Sequence, residues 1–239
     1  MDDFQWTLGA LSVLTIFKPC LVLLHGDHPT VGKYWDLVMP FASRLVYIPK
    51  SPQTRIQNKT IVHVENQADI ARLEVLLEFG GVYLDRDQII LRPPHIYRAA
   101  SFAAFKEGRS GDVSNAVLFS RPQHEIPRQW LANYATYDGS SLYSHSIKYI
   151  TKLSQDETLR DKLQVFGMQM MRYYTGDWRH FYNESCSLGE SYGIHLHDHR
   201  FPTEAGVEFV KRNRSTFAHV ARYILFNDAT ICGYDDSYN

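Results

Sequence analysis

The sequence predicts an α/β layer fold. Three observations lead there: short continuous apolar runs of strand length, apolar residues at helical spacing between them, and glycine or proline at the joints. Strands and helices that alternate in this way bury their apolar faces against one another in layers. The 239 residues read as one domain, 1–239, without an internal repeat, a low-complexity segment or a linker-like stretch. With 44% hydrophobic and 13% aromatic residues, the chain can build a single sizeable core and is too apolar to stay disordered.

Taken in order, residues 8–17 read as a buried helix, closed by Lys18-Pro19. Residues 20–25 are a continuous apolar run broken by Gly26-Asp27-His28-Pro29, the pattern of a buried strand in a parallel sheet. Residues 34–41 form a short helix or turn, 44–48 a second strand, 49–59 a loop and 60–64 a third short strand. In 66–91, Ile70, Leu73, Leu76 and Leu77 fall on one helical face. Asn66 is placed to cap that helix, with Asp69 at its third position. Gly80-Gly81 ends it, because glycine accepts the left-handed conformation of a helix C-cap. Residues 82–87 then form a strand, and 88–91 stay extended up to Pro93-Pro94. Further strands are expected at 101–105 and 116–120, and helices at 127–137, 144–153 and 157–163. The last 70 residues are less regular.

Composition narrows the function. Lys plus Arg is 25 and Asp plus Glu is 26, a net charge of −1. A protein that binds nucleic acid by neutralising phosphates is normally basic, so no nucleic-acid partner is expected. No apolar run reaches the ~20 residues of a membrane span, so no transmembrane segment is expected. Residues 8–17 lack the basic stretch that would precede them in a signal peptide. Cys20, Cys186 and Cys232 include no CxxC pair, which excludes a zinc ribbon and a disulfide scaffold and allows at most one disulfide. Three N-x-Ser/Thr sequons begin at Asn58, Asn183 and Asn213; they fit a lumenal protein or arise by coincidence.

The chemistry is expected on residues 82–87. Side chains alternate along a strand, so Tyr83, Asp85 and Asp87 face one way while Val82 and Leu84 face the sheet layer. Two carboxylates two residues apart, at the carboxyl edge of an α/β sheet where ligands bind, make a hard-oxygen site for Mn²⁺ or Mg²⁺. Read alone, Asp-Arg-Asp is also what an exposed turn of alternating charges looks like. On the preceding helix Asp69 and Arg72 are three residues apart and share a face; a helix-capping carboxylate and a surface ion pair would look the same.

Residues 68–72 (ADIAR) and 79–87 (FGGVYLDRD) together closely resemble the signature of DXD-containing sugar transferases of glycosyltransferase family 32. That family includes α-1,4-galactosyl-, α-1,4-N-acetylglucosaminyl- and initiating α-1,6-mannosyltransferases. The block covers about 25 residues and needs Asp-x-x-Arg, Gly-Gly-x-Tyr-x-Asp-x-Asp and their spacing at once; weaker resemblance runs from about Leu11 to Phe226. The resemblance implies a GT-A fold, a Rossmann-like sheet with flanking helices. It implies a UDP- or GDP-hexose donor, Mn²⁺ (or Mg²⁺), and a glycan or glycolipid acceptor. It implies transfer of a hexose with retention of anomeric configuration, and a Golgi-lumenal setting; a chain complete as given would instead be cytoplasmic. Asp87 corresponds to the main metal ligand. Asp85 corresponds to the residue that holds ribose, sugar or a metal-bound water. Asp69 and Arg72 correspond to the pair on the donor sugar and its phosphate. Asn115, in the Ser114–Leu118 segment, corresponds to an Asn facing donor and acceptor, or forms an Asx turn entering a strand. His195 in Ile194-His195-Leu196 corresponds to a histidine completing the metal or diphosphate site, although His197 stands where the family usually has Trp. The family normally has a strand before the first helix, whereas this sequence starts at that helix, either because the protein lacks the strand or because the sequence is incomplete; if the strand is truly absent, the nucleotide base is expected to lack one wall and to bind weakly. Tyr83 is read as packing.

Two other readings compete. One is a GT-A protein that binds without turnover. The other is a metallohydrolase using the cluster His195, His197, Asp198 and His199, one residue short of the hydrolase pattern His-x-His-x-Asp-His.

Overall fold

The computed structural model describes residues 3–29, 32–108, 110–172, 178–184, 188–197 and 206–228. Helix α1 (Asp3–Ser12) is followed by strands β1 (Val22–Gly26) and β2 (Leu45–Pro49), which pair in parallel. A small hairpin of β3 (Arg55–Ile56) and β4 (Lys59–Thr60) leads into α2 (Val64–Phe79). Strands β5 (Gly81–Leu84), β6 (Gln88–Ile90), β7 (Phe102–Glu107) and β8 (Asp112–Ser120) follow. After helices α3 (Glu125–Asn133) and α4 (Ile147–Ser154) come β9 (Gln164–Phe166) and α5 (Trp178–Asn183). Strand β10 (Gly193–His195) and helices α6 (Val207–Arg212) and α7 (Thr216–Phe226) complete the order.

The central sheet has the order β5-β8-β7-β9, antiparallel except for β7 with β9. Its pleat sorts side chains between two cores. Phe102, Ala104 and Leu118 face Ile70, Leu73 and Leu76 of α2, Trp130 of α3 and Ile150 of α4. Ala103, Phe105 and Phe119 face Ile90, Tyr97, Met170 and Met171 on the other side. A third core joins α1, α5 and α7 through Phe4, Leu8, Phe181 and Phe217, and takes in Ile89 and Ile194 from the β6–β10 pair. The layered α/β arrangement read from the sequence is therefore present.

Several boundaries differ. The first helix begins at Asp3 and ends at Ser12, continuing to Phe17 as a wider π turn. The 20–25 run is a parallel strand at Val22–Gly26, but it is half-buried, having only β2 as a hydrogen-bonded neighbour among the described residues. The third strand expected at 60–64 is not formed: Thr60 ends the hairpin, Val62 and Val64 are exposed, and Val64 already opens α2. Asn66 is consequently not the cap of α2 but a buried residue of its first turn. The helix expected at 157–163 is a three-residue 3₁₀ turn at Glu157–Leu159. Gly80 ends α2 with φ 63°, and a Cβ there would sit 2.6 Å from the Pro122 ring, so both conformation and space require glycine.

Candidate active site

The site is built outward from α2. Asn66, Asp69 and Arg72 recur every third residue and form a polar seam beside the apolar face of the helix. Asp69 is 2% exposed and Arg72 5%. Asp69 is held from several sides. Asn66 Nδ2 and the Tyr134 hydroxyl each donate to its Oδ2 at 3.0 Å, and Asn115 Nδ2 donates to its Oδ1 at 2.6 Å. The guanidinium of Arg72 spans the seam. Its Nη1 donates to the Asn115 carbonyl at 2.5 Å, and its Nη2 lies 3.3 Å from Asp69 Oδ1 and 3.3 Å from Asp85 Oδ1. It also lies over the Tyr83 ring, 4.8 Å from the centroid, while the Tyr83 hydroxyl donates to Asp85 Oδ1 at 2.7 Å.

Asn115 reaches this seam through an irregularity in β8. The register runs Ala103↔Phe119 and then Phe105↔Ser114, so β8 carries extra residues between these pairs. Such a bulge re-aims side chains. Asn115 therefore lies within the strand and not in an Asx turn before it. Its Nδ2 also donates to Ser146 Oγ at 2.7 Å, and the neighbouring Ala116 carbonyl accepts from Asp85 N at 2.8 Å.

Strand β5 ends at Leu84, and 85–87 form a turn closed by Gln88 N donating to the Asp85 carbonyl at 3.0 Å. Asp85 and Asp87 thus converge through a turn and not through strand alternation, which holds only for Tyr83 with Asp85. Pairing of β10 with β6 sets His195 opposite Gln88, and Leu196 N donates to the Asp87 carbonyl at 3.1 Å. This brings His195 Nε2 to 3.4 Å from Asp87 Oδ1. One ligand atom each from Asp85, Asp87 and His195 can lie within 4.8 Å of the others, as can those of Glu107, His195 and His197.

The charges respond to this crowding. Burial opposes ionisation of Asp87, but the facing His195 outweighs it and holds the carboxyl down at about 2. Burial pushes Asp85 up, and Arg72 only partly offsets this. Burial disfavours the His195 cation, yet Asp87 and Glu107 raise its pKa well above the ordinary value. Burial likewise opposes ionised Glu107, and hydrogen bonds from His195 and His197 pull it below the carboxylate range. Arg72 is held protonated by Asp85 and its neighbours against the penalty of burial.

The structure joins Asp69, Arg72, Asp85 and Asn115 in one hydrogen-bonded and ion-paired group, and joins Asp87 and His195 in an adjoining one. Neither the helix cap nor the surface ion pair describes Asp69 and Arg72, since both are buried. Tyr83, Tyr134, Ser146 and Glu107 escaped sequence reasoning. Tyr83 was legible as sharing a face with Asp85. Glu107 had no local signal, being an isolated carboxylate brought to His195 by the fold. Of the late histidine cluster, His195 and His197 meet on Glu107, while Asp198 and His199 lie outside the described residues, as do Cys186 and Cys232. Among the described residues, no helix is long and apolar enough to cross a membrane.

The family model described as "glycosyltransferase sugar-binding region containing DXD motif" matches residues 28–103, a span that contains Asp69, Arg72, Asp85 and Asp87. Residues 28–103 are therefore similar to the DXD-type sugar-binding region of glycosyltransferases. The chain is 29% identical over 150 residues to glucan organizing enzyme 1 of Cryptococcus neoformans var. grubii, covering 59% of this chain and 40% of that protein. It is 24% identical over 148 residues to human α-1,4-N-acetylglucosaminyltransferase, covering 55% of this chain and 42% of that protein. The chain thus spans well under half the length of these curated relatives. A solved glycosyltransferase involved in glycosylation of the major capsid of PBCV-1 aligns with 76% of this chain and 96% of its own, at 11% identity and a TM-score of 0.45. The matched span ends before Glu107, so β7, β8 and β10 supply Glu107, Asn115 and His195 from outside it.

Proposed function

We propose that residues 1–239 are the GT-A-type catalytic domain of a metal-dependent glycosyltransferase. It moves a hexose from a UDP- or GDP-sugar to a hydroxyl of a glycan or glycolipid, with retention. The observation that carries the reading is the convergence of Asp85, Asp87 and His195 beside Arg72, within and next to a DXD sugar-binding region. Two carboxylates and one imidazole fit a divalent cation, and the nitrogen donor favours Mn²⁺ over Mg²⁺. Asp85, Asp87 and His195 would hold it, and a bound cation supplies charge stabilisation for the departing diphosphate.

The protein's own groups divide the remaining work. Arg72 keeps a fixed positive charge next to Asp85, preorganised for a developing anion. Asp69 has both oxygens engaged by Asn66, Tyr134, Asn115 and Arg72, which makes it a positioning carboxylate and a poor nucleophile. No covalent sugar–enzyme intermediate is then needed. The leaving phosphate takes the proton of the acceptor hydroxyl on the same face, and the anomeric configuration is retained. Asn115 donates to Asp69 and orients it, and the family resemblance assigns it a contact with donor or acceptor.

The test is a screen of UDP- and GDP-hexoses with Mn²⁺, reading release of the nucleoside diphosphate, with product anomers assigned by NMR. Asp87→Asn should abolish turnover while leaving the circular dichroism spectrum unchanged. Near-normal activity of Asp87→Asn at limiting Mn²⁺ would overturn the metal assignment. Tight nucleotide binding without turnover of any donor would favour a non-catalytic binding protein.

A further inference from the structure

Next to the Asp85–Asp87 pair, a second group of donors converges. Glu107 closes β7, His195 closes β10, and His197 follows two residues later. Glu107 Oε1 is 3.0 Å from His195 Nδ1 and 3.2 Å from His197 Nε2, and the two imidazole centroids are 4.0 Å apart. His197 adopts a left-handed φ of 57°, a conformation uncommon for a non-glycine residue. The three side chains are 11–17% exposed, so they are sheltered but reachable.

Ligand atoms around a four-coordinate Zn²⁺, at bond lengths of about 2.0–2.2 Å, lie about 3.3 Å from one another. The contacts to Glu107 Oε1 are already near that spacing. Two imidazoles with one carboxylate is a donor set of borderline cations such as Zn²⁺, not of Mg²⁺ or Ca²⁺. With ring centroids 4.0 Å apart and planes tilted by 37°, two neutral imidazoles and a carboxylate can surround one cation without like-charge repulsion.

We propose that Glu107, His195 and His197 form a three-ligand site for Zn²⁺ or a similar borderline divalent cation, antagonistic to a cation at Asp85 and Asp87. The antagonism follows from the tautomer of His195. A neutral imidazole has one nitrogen lone pair and one N–H. Nδ1 faces Glu107 and Nε2 faces Asp87. With Zn²⁺ on Nδ1, the proton stays on Nε2 and points to Asp87. With Mn²⁺ on Nε2, the proton stays on Nδ1 and is donated to Glu107. His195 serves one cation at a time, and transition-metal binding disables the oxygen-rich site. Only this antagonism rests on the Mn²⁺ reading above; the Glu107 site does not.

The experiment titrates the 239-residue chain with Zn²⁺ alone and Co²⁺ alone, and follows Mn²⁺ by electron paramagnetic resonance with and without saturating Zn²⁺. Co²⁺ should give the visible absorption of a low-coordinate N/O site, and Zn²⁺ should weaken Mn²⁺ binding by at least about 10-fold. His197→Ala should weaken Zn²⁺ binding by about 100-fold or more, since one of three ligands is gone, and leave Mn²⁺ binding intact. Asp85→Asn should do the reverse. Circular dichroism reports folding, and Glu107→Gln, of equal size, replaces His197→Ala if the latter is unfolded. Unchanged Zn²⁺ affinity in the folded variant overturns the site. Simultaneous, independent binding of Zn²⁺ and Mn²⁺ overturns the shared histidine. Failure of the wild type to bind Mn²⁺ overturns the antagonism and the metal reading under the proposed function, while the Zn²⁺ and variant arms still decide the Glu107 site.

Discussion

Gly9→Ala tests whether α1 seats the carboxylate turn. Three residues of α1 at a spacing of three meet the segment after β5. Trp6 packs under the Arg86 guanidinium at 4.7 Å, and Ser12 Oγ accepts from Ile90 N at 2.9 Å. Between them, a Cβ added at Gly9 would sit 2.7 Å from the Arg86 carbonyl oxygen and 3.2 Å from that of Gln88. Ordinary carbon–oxygen contacts begin near 3.3 Å, so the Arg86 carbonyl must retreat by about 0.6 Å. Arg86 stands between Asp85 and Asp87, so the displacement reaches both carboxylates. Two effects oppose each other. Alanine in a helix is worth about 1 kcal/mol over glycine, and overpacking costs about 1–3 kcal/mol. Both opposing atoms are backbone and cannot rotate away, so the second effect wins by about 1 kcal/mol. For a chain of this size that lowers Tm by about 2–4 °C. A shift of about 0.6 Å also exceeds the ~0.5 Å within which a ligand constellation must be held, so Mn²⁺ affinity should fall by about 10-fold. Thermal unfolding and Mn²⁺ titration read both outcomes. A Tm raised by about 2–4 °C, with Mn²⁺ affinity unchanged, would show the propensity gain acting alone and would refute the seating of the turn by α1.

Arg72→Lys keeps the charge but cannot bridge the Asn115 carbonyl, Asp69 and Asp85 at once. It should destabilise by about 2–3 kcal/mol in urea unfolding and lower turnover as well; an unchanged midpoint would contradict the buried network. Tyr83→Phe removes the donor to Asp85 Oδ1, so stability should drop by about 1–2 kcal/mol. The Asp85 carboxyl should titrate still higher, moving Mn²⁺ binding to higher pH; an unshifted binding profile would count against it. The His195 cation between Asp87 and Glu107 gives the metal-free protein a pH-dependent increment. Its folded pKa is raised above 6.5, so the increment is complete below pH 6.5 and is lost as pH rises through the folded value. Urea unfolding of wild type and His195→Gln, metal-free, should show a stability gap that narrows from pH 6 towards pH 9. A gap that widens would reverse the assigned sign.

How far the site was legible depends on how local each part is. Ile70, Leu73 and Leu76 repeat at the helical period, and Gly80-Gly81 can take the positive φ that ends α2, so the frame around Asp69, Arg72, Asp85 and Asp87 is written within about twenty residues. The β-branched Val62 and Val64 read as a strand because periodicity does not say whether a partner strand exists; in the structure both are exposed and the helix has already begun. The apolar run before Gly26 suggested full burial, yet a strand paired, among the described residues, only with β2 stays half-covered.

By itself, the sequence determined the helix–glycine–strand block and the acidic pair behind it, because backbone propensity and helical spacing act over a few residues. Tertiary structure decided what completes them. The displaced register of β8 sets Asn115 on Asp69, and the pairing of β10 with β6 sets His195 against Asp87. The end of β7 places Glu107 under two histidines 88 and 90 positions away in the chain. Strand register across such separations is fixed by packing of the two sheet faces, and no short stretch of sequence carries that information.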